Sequence, residues 1–397
     1  MPAFLDCDQH LFEPRDLWRD YADPAGREHA IRMQEDAAGH SYLVWQGRRL
    51  GLAHVPVPGE ADAVGRYFAE ARAGVPARAR YDELVPPAYS QPGERLALLD
   101  RLGIDAAVLF PNYGLLWERA LRSSLEATRV NMGAWNRFAI DVRAAGRGRL
   151  HPVAHLGLRD LGWLEAQLAA LSASGVRLAM ISPGLVDGRP LSDPGLDAAW
   201  SGFVAHGITP VFHIANVERP FADAWYREDA LDRGDPEDLV LASVFLWTGA
   251  ALGLADLAIH GVLDRHPDLR IGIMELSAGW FPQFLQYLDG GVHFSSRLNG
   301  RQPFAYRMRP SEYLRSHVRI AAFAYERPDL LARQSGDLFM ACSDWPHSEG
   351  SAQPLDDYQR AAGDAGTPAA APGLFGGNLA WLLRDAALPG SGRAAAP

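Results

Sequence analysis

The chain has 397 residues, with 38 Lys and Arg against 48 Asp and Glu and a formal net charge of −10 at pH 7. This acidic balance repels polyanions and argues against a nucleic-acid partner, and the two cysteines, Cys7 and Cys342, are too few for a disulfide framework. The length exceeds the ~250 residues of one eight-stranded α/β barrel, yet leaves little room for a second catalytic domain.

The first predicted element is a strand over Leu5–His10. No basic segment followed by an apolar stretch precedes it, so no secretory signal is read and a cytoplasmic location is expected. Strict alternation along this strand places Asp6, Asp8 and His10 on one face, with Asp8 and His10 able to grip one ion. From about Asp23 to Pro92 the pattern weakens into an Arg-, Ala-, Gly- and Pro-rich stretch with a faint hairpin signal near Ser41–Leu52. It reads as an insertion after the first strand, a cap over a site or an oligomer contact.

Regular alternation follows. A helix over Glu94–Leu102 leads to a strand over Ala106–Pro111, then a helix over Glu118–Ala145 and a strand over Leu150–Leu156. Next come a helix over Leu161–Ala173, a strand over Val176–Ser182, a helix over Leu196–His206 and a strand over Thr209–Ile214 that delivers His213. The apolar segment Leu239–Leu263 approaches membrane-span length, but Asp256 and His260 interrupt it, so a buried helix over Asp238–Arg265 is expected and no membrane contact. The last units are a strand over Leu269–Glu275, a helix over Trp280–Leu288, a strand over Val318–Ala324, a helix over Pro328–Ser335 and a strand over Leu338–Ser343. Strand and helix in succession imply a parallel sheet with right-handed crossovers, and eight strands imply a (β/α)8 TIM barrel. The expected organisation is one domain over residues 1–388 carrying an insertion at 23–92, with a disordered tail over 389–397.

Chemistry in such barrels sits at the carboxyl ends of the strands. Asp8, His10, His213 and Asp344 all fall there, which points to a metal site assembled from distant segments. His347, just past Pro346, is expected to bond the loop rather than the ion, and Glu13 before Pro14 to cap a turn or add a carboxylate. Asn112, His155 and Ser182 also end strands. Cys342 reads as a small core filler.

The segments Asp6–Pro14, His213, Asp264–Ile271 and Ser343–His347 resemble the amidohydrolase-related family, which includes aminocarboxymuconate-semialdehyde decarboxylase-like enzymes, aromatic acid decarboxylases, and lactone and C–C bond hydrolases. The resemblance runs from the first strand to about Leu383. It implies one divalent ion, Zn or alternatively Mn or Fe, held by Asp8, His10, His213 and Asp344. Two departures stand out. Asp8 replaces a His or Glu, and Glu275 stands where relatives carry a catalytic His after the sixth strand. Glu275 and Asp344 are therefore the expected acid/base pair, with Trp280 and Asn112 as substrate contacts. The expected function is hydrolysis of a small carboxylated or aromatic substrate through a metal-activated water. Non-oxidative decarboxylation is the first alternative, and a metal-free binding or scaffold barrel the second. A homodimer is the expected assembly.

Overall fold

A computed structural model describes residues 3–58, 60, 63–214, 243–301, 307–362, 373–385 and 388. The predicted tail therefore lies outside the described residues, as does the start of the helix predicted over Asp238–Arg265.

The strands in chain order are β1 (Leu5–Leu11), β2 (Arg32–Glu35), β3 (Ser41–Trp45), β4 (Arg48–Leu52), β5 (Ala106–Pro111), β6 (Leu150–His155), β7 (Leu178–Met180), β8 (Thr209–His213), β9 (Ile271–Met274), β10 (Val318–Ala322) and β11 (Phe339–Ala341). Eight of them pair in the order β1-β5-β6-β7-β8-β9-β10-β11, each parallel to its neighbour. The seam between β11 and β1 is bridged just past β11. Asp344 N–H donates to the Asp8 carbonyl at 2.8 Å, His10 N–H donates to the Trp345 carbonyl at 2.8 Å, and Gln9 pairs with Trp345. The result is the predicted (β/α)8 barrel.

Apolar residues on both faces make these strands barrel strands. Cys7, Val108, Val153, Val211, Met274 and Met340 fill the interior, while alternate residues pack outward against the helices. The floor is closed from below by the short helix Asn378–Leu382, whose Leu379 and Leu382 join the interior cluster. Thr209 Oγ donates to the Leu382 carbonyl at 2.8 Å, and the Arg270 and Arg319 guanidinium groups lie 4.4 and 4.1 Å from the Trp381 ring centroid. The strand-and-helix pattern gave no hint of this plug.

Several expectations need correction. The helix predicted over Glu118–Ala145 is two, Gly114–Leu121 and Leu125–Ala145, because the Ser124 side chain accepts the Ala127 N–H and caps a fresh start. The helix expected to end at Leu288 continues to Asn299 and stops at Gly300, whose φ of 65° suits a left-handed C-cap. The apolar segment forms Thr248–Ile259 and Val262–Arg265, broken at Gly261. Among the described residues no helix is long and apolar enough to cross a membrane. The insertion holds more than a faint hairpin. Strands β2, β3 and β4 form a three-stranded antiparallel sheet, and Ile31, Met33, Leu43 and Ala53 belong to the same apolar cluster as the barrel's outer shell. The insertion is thus built into the core.

Candidate metal centre

Strict alternation fails at the start of β1. The register with β5 slips between Asp6 and Gln9, so one extra residue of β1 is accommodated opposite Ala107–Leu109. Such a bulge re-aims side chains. Cys7 joins the barrel interior and Asp8 and His10 reach the site, whereas Asp6, expected on their face, turns to the wall. There its carboxylate accepts the Gln9 amide at 2.8 Å, the Ser343 hydroxyl at 2.5 Å and the Ser343 N–H at 2.9 Å. Two more carboxylates are aimed by left-handed backbone, Glu275 at φ 50° and Asp344 at φ 56°. Asp tolerates this region and Glu does so rarely, and strain of this kind persists where the surroundings enforce it.

The four predicted ligands converge with Glu275 at the mouth. His10 Nε2 lies 3.2 Å from Asp344 Oδ1, 3.6 Å from Asp8 Oδ1 and 3.8 Å from Glu275 Oε2. His213 Nε2 lies 3.4 Å from Asp8 Oδ1 and 3.3 Å from Glu275 Oε2. The donors form two overlapping sets, Asp8 with His10 and His213, and His10 with Glu275, Asp344 and His347, joined through His10. Each ligand imidazole has its other nitrogen engaged, His10 Nδ1 with the Pro111 carbonyl at 3.3 Å and His213 Nδ1 with the Ile214 carbonyl at 3.1 Å. Carbonyls only accept, so these contacts assign the proton to Nδ1 and leave both Nε2 lone pairs facing the carboxylates. Fixing a histidine tautomer in this way is how proteins prepare a metal ligand.

A cation fits this donor set on a further observation. Among the described residues, Asp8 Oδ2, His10 Nε2, Glu275 Oε2 and Asp344 Oδ2 are all buried without a hydrogen-bond partner. Such atoms are costly unless something satisfies them. Ligand bonds of about 2.1 Å imply donor separations of about 3.0–3.4 Å around one ion, so the observed spacings need only a slight contraction.

Burial pushes the His10 imidazole down to about 3, with the nearby His347 adding to it, and lowers His213 as well, which keeps both neutral and ligand-competent. Burial raises Asp8 and Glu275 well above the usual carboxylate range, and the charge on Asp344 raises both further. Asp344 goes the other way. Burial works to raise it, but His347 and His10 outweigh burial and hold it below its ordinary value.

His347 donates from Nδ1 to Asp344 Oδ1 at 2.8 Å and from Nε2 to Asn112 Oδ1 at 2.9 Å. Oxygen on both sides calls for an imidazolium, and against the opposing effect of burial Asp344 raises it to about 10. With both nitrogens engaged, His347 holds Asp344 in place from its far side, while its own ring stays within reach of the donor set. Glu13 lies away from the ion set. Its carboxylate accepts the Tyr113 and Gly114 N–H groups at 3.0 and 2.8 Å at the start of helix Gly114–Leu121. Trp280 stacks on Trp247 with centroids 5.4 Å apart and donates to the Ser277 carbonyl at 2.9 Å. His155 pairs with Glu118 at 2.9 Å, and Ser182 accepts the Gly184 N–H.

Sequence reasoning missed His54 and Arg95. The carbonyl of His54, two residues past β4, takes the Tyr113 hydroxyl at 2.5 Å, and burial lowers its imidazole to about 4, with His347 contributing. Only tertiary pairing brings His54 here; no spacing signals it.

Solved structures share this architecture across almost the whole chain. An amidohydrolase from Mycobacterium avium subsp. paratuberculosis superposes with a TM-score of 0.75 at 24% identity, covering 96% of this chain and 99% of that one. The 5-carboxyvanillate decarboxylase of Novosphingobium aromaticivorans, complexed with manganese and 4-hydroxy-3-methoxy-5-nitrobenzoic acid, gives 0.63 at 16% identity over 96% of each chain. The 2,6-dihydroxybenzoate decarboxylase from Rhizobium gives 0.58 at 15% identity over 97% of this chain and 99% of that one. The fold of these neighbours is the one the motif resemblance implies. No protein-family model and no curated protein sequence matches the chain.

Proposed function

We propose that this chain is a metal-dependent enzyme that hydrolyses a small, carboxylated or aromatic substrate. The carrying observation is the convergence, at the carboxyl end of the barrel, of four buried donor atoms from Asp8, His10, Glu275 and Asp344 that have no hydrogen-bond partner among the described residues. Asp8, His10, His213 and Asp344 would hold the ion. A divalent ion there supplies Lewis acidity, lowering the pKa of a bound water toward ~7 and polarising a carbonyl.

The chain's own groups then divide the proton work. Glu275, raised by burial, suits a general base, because its carboxylate is basic enough to take a proton and its conjugate acid can later return it to a leaving group. Asp344, held anionic by His347, keeps its charge for the cation and serves as the alternative acceptor. Asn112 fixes His347, and Trp280, backed by Trp247, offers a ring face from the loop after β9. Two His and several carboxylates suit Zn, Mn or Fe.

Decarboxylation is the second reading, supported by the two aromatic acid decarboxylases that share the fold. The absence of a His at position 275, where Ile273-Met274-Glu275 ends the sixth barrel strand, favours hydrolysis. Metal analysis of protein purified without chelator tests the common part of both readings. A panel of carboxylated aromatics, lactones and amides then separates them, since carbon dioxide release marks decarboxylation and acid release without it marks hydrolysis. A metal-free protein without turnover would leave the binding or scaffold reading.

The two buried thiols, Cys7 and Cys342, are both free, which supports action in a reducing compartment such as the cytoplasm. We further propose a homodimer formed through helix Phe281–Asn299. Its Tyr287, Phe294 and Leu298 are 66%, 68% and 73% exposed and recur at helical spacing on one side.

A further inference from the structure

We infer that Arg95 is a positioning residue for the metal centre, setting the ligand-bearing ends of β1 and β11 from behind the barrel wall. The inference rests on the metal reading above. Arg95 lies in the first turn of helix Pro92–Leu102, directly after the insertion, and is fully buried. Its guanidinium spends its donors on fixed acceptors. Nε donates to the Ala88 carbonyl at 2.8 Å, one terminal nitrogen to Gln9 Oε1 at 3.0 Å, and the other to the His10 carbonyl at 2.6 Å. Its flat face lies 4.3 Å from the Trp345 ring centroid.

These contacts grip both sides of the site at once. The His10 carbonyl is held by Arg95 while the His10 N–H is held by the Trp345 carbonyl, so the peptide groups flanking this ligand are both pinned. Trp345 follows Asp344, so stacking on Arg95 also fixes the second ligand segment. Gln9 carries the network onward by donating to Asp6, and Asp6 receives the N–H of Asp8 and of Ser343. The residues next to each ligand in β1 and at the end of β11 are thus tied into one lattice that starts at Arg95.

Among the described residues Arg95 has no ion-pair partner. Burial lowers its guanidinium to about 9, still cationic at neutral pH. A buried cation without a direct counter-ion is expensive, and a packing role alone would be met by an apolar side chain of similar volume. What Arg supplies beyond Lys or Met is the rigid planar fork, which serves three acceptors and a ring face together.

The test compares metal binding by wild type, Arg95→Lys, Arg95→Met and Gln9→Leu. Each is made metal-free, shown to keep its far-UV circular dichroism, and titrated with Mn²⁺ against a chromophoric chelator well below its melting temperature. Removing an outer partner of this kind is expected to weaken metal binding about 10–100-fold, and Lys is not expected to rescue it. Gln9→Leu should weaken it in the same direction by less. The Co²⁺-loaded variants should show shifted ligand-field absorption, because the donors are displaced. If Arg95→Lys binds Mn²⁺ with wild-type affinity and has a wild-type Co²⁺ spectrum while melting earlier, Arg95 only supports packing and the inference is wrong. Should Arg95→Met fail to fold, Arg95→Lys and Gln9→Leu decide the matter. Wild type that takes up no stoichiometric metal would instead overturn the reading on which the inference stands.

Discussion

His213 Nε2 and Glu275 Oε2 face each other at 3.3 Å without a hydrogen bond, since the Nδ1 proton of His213 points to the Ile214 carbonyl. Two lone pairs at that distance repel, and a cation between them turns the repulsion into coordination. His213→Ala and Asp344→Ala are each expected to lose most of one bound divalent ion per chain, measured by elemental analysis after gel filtration. Stoichiometric metal in the double variant would refute the ligand set. Because burial raises Asp8, ion uptake must displace its proton, so affinity should fall as pH is lowered.

Glu275→Gln is expected to keep its metal yet turn over about two to four orders of magnitude more slowly, the range that general acid–base catalysis supplies. Gln retains size and an acceptor oxygen but cannot carry the proton. The wild-type rate should rise with pH as Glu275 loses its proton, and that limb should be missing from the variant. Unchanged turnover with a lower melting temperature would assign Glu275 to structure and pass the proton to Asp344.

Glu13 makes a pH prediction away from the ion. Burial raises its carboxyl from 4.5 to about 7 against the opposing backbone N–H bonds. Between those pH values the folded chain holds a proton that the unfolded chain has released, so this group makes stability fall as pH rises, by about 3 kcal/mol in all. Denaturation midpoints of metal-loaded wild type and Glu13→Gln, taken from pH 4.5 to 8, should therefore diverge, with the variant losing less. Parallel curves would show that the Glu13 carboxyl is not raised.

The floor plug should matter to stability. Leu382 is fully buried in the barrel interior, so Leu382→Ala should cost about 2–5 kcal/mol in urea unfolding. A change under about 0.5 kcal/mol would mean that the segment after Gly373 is a peripheral addition.

The proposed dimer is tested by Phe294→Asp with Leu298→Asp, on a face exposed in the single chain. Sedimentation should show a dimer for wild type and a monomer for the variant, with the circular dichroism unchanged. A monomeric wild type would remove the proposal.

The barrel was legible because its strands are apolar on both faces, as in Ala106-Ala107-Val108-Leu109-Phe110, and because strand ends carry ligand-type residues. His213 and Asp344 could be read in that way from local pattern alone. Asp6 could not, because period-two alternation is blind to a bulge that depends on the partner strand. Left-handed backbone at Glu275 is equally silent in sequence, since Gly or Asn is the usual marker and neither is present. The hairpin signal at Ser41–Leu52 marked β3 and β4, but β2 was hidden in the Arg- and Gly-rich composition of the insertion, and Arg95 and His54 acquire meaning only through contacts with residues distant in the chain.

The barrel's seam has a topological consequence. Asp8 and His10 stand on one lip of it and Asp344 on the other, so an ion shared among them ties residue 8 to residue 344 and encloses most of the chain in one loop. Closing a long loop costs much entropy once and little more for added length. An ion here would act as a clasp on a band, resisting separation of the first strand from the last. Its removal should therefore be felt first as fraying along the β1–β11 edge, with faster amide exchange at Asp344 and His10 than anywhere on the β6–β7 side.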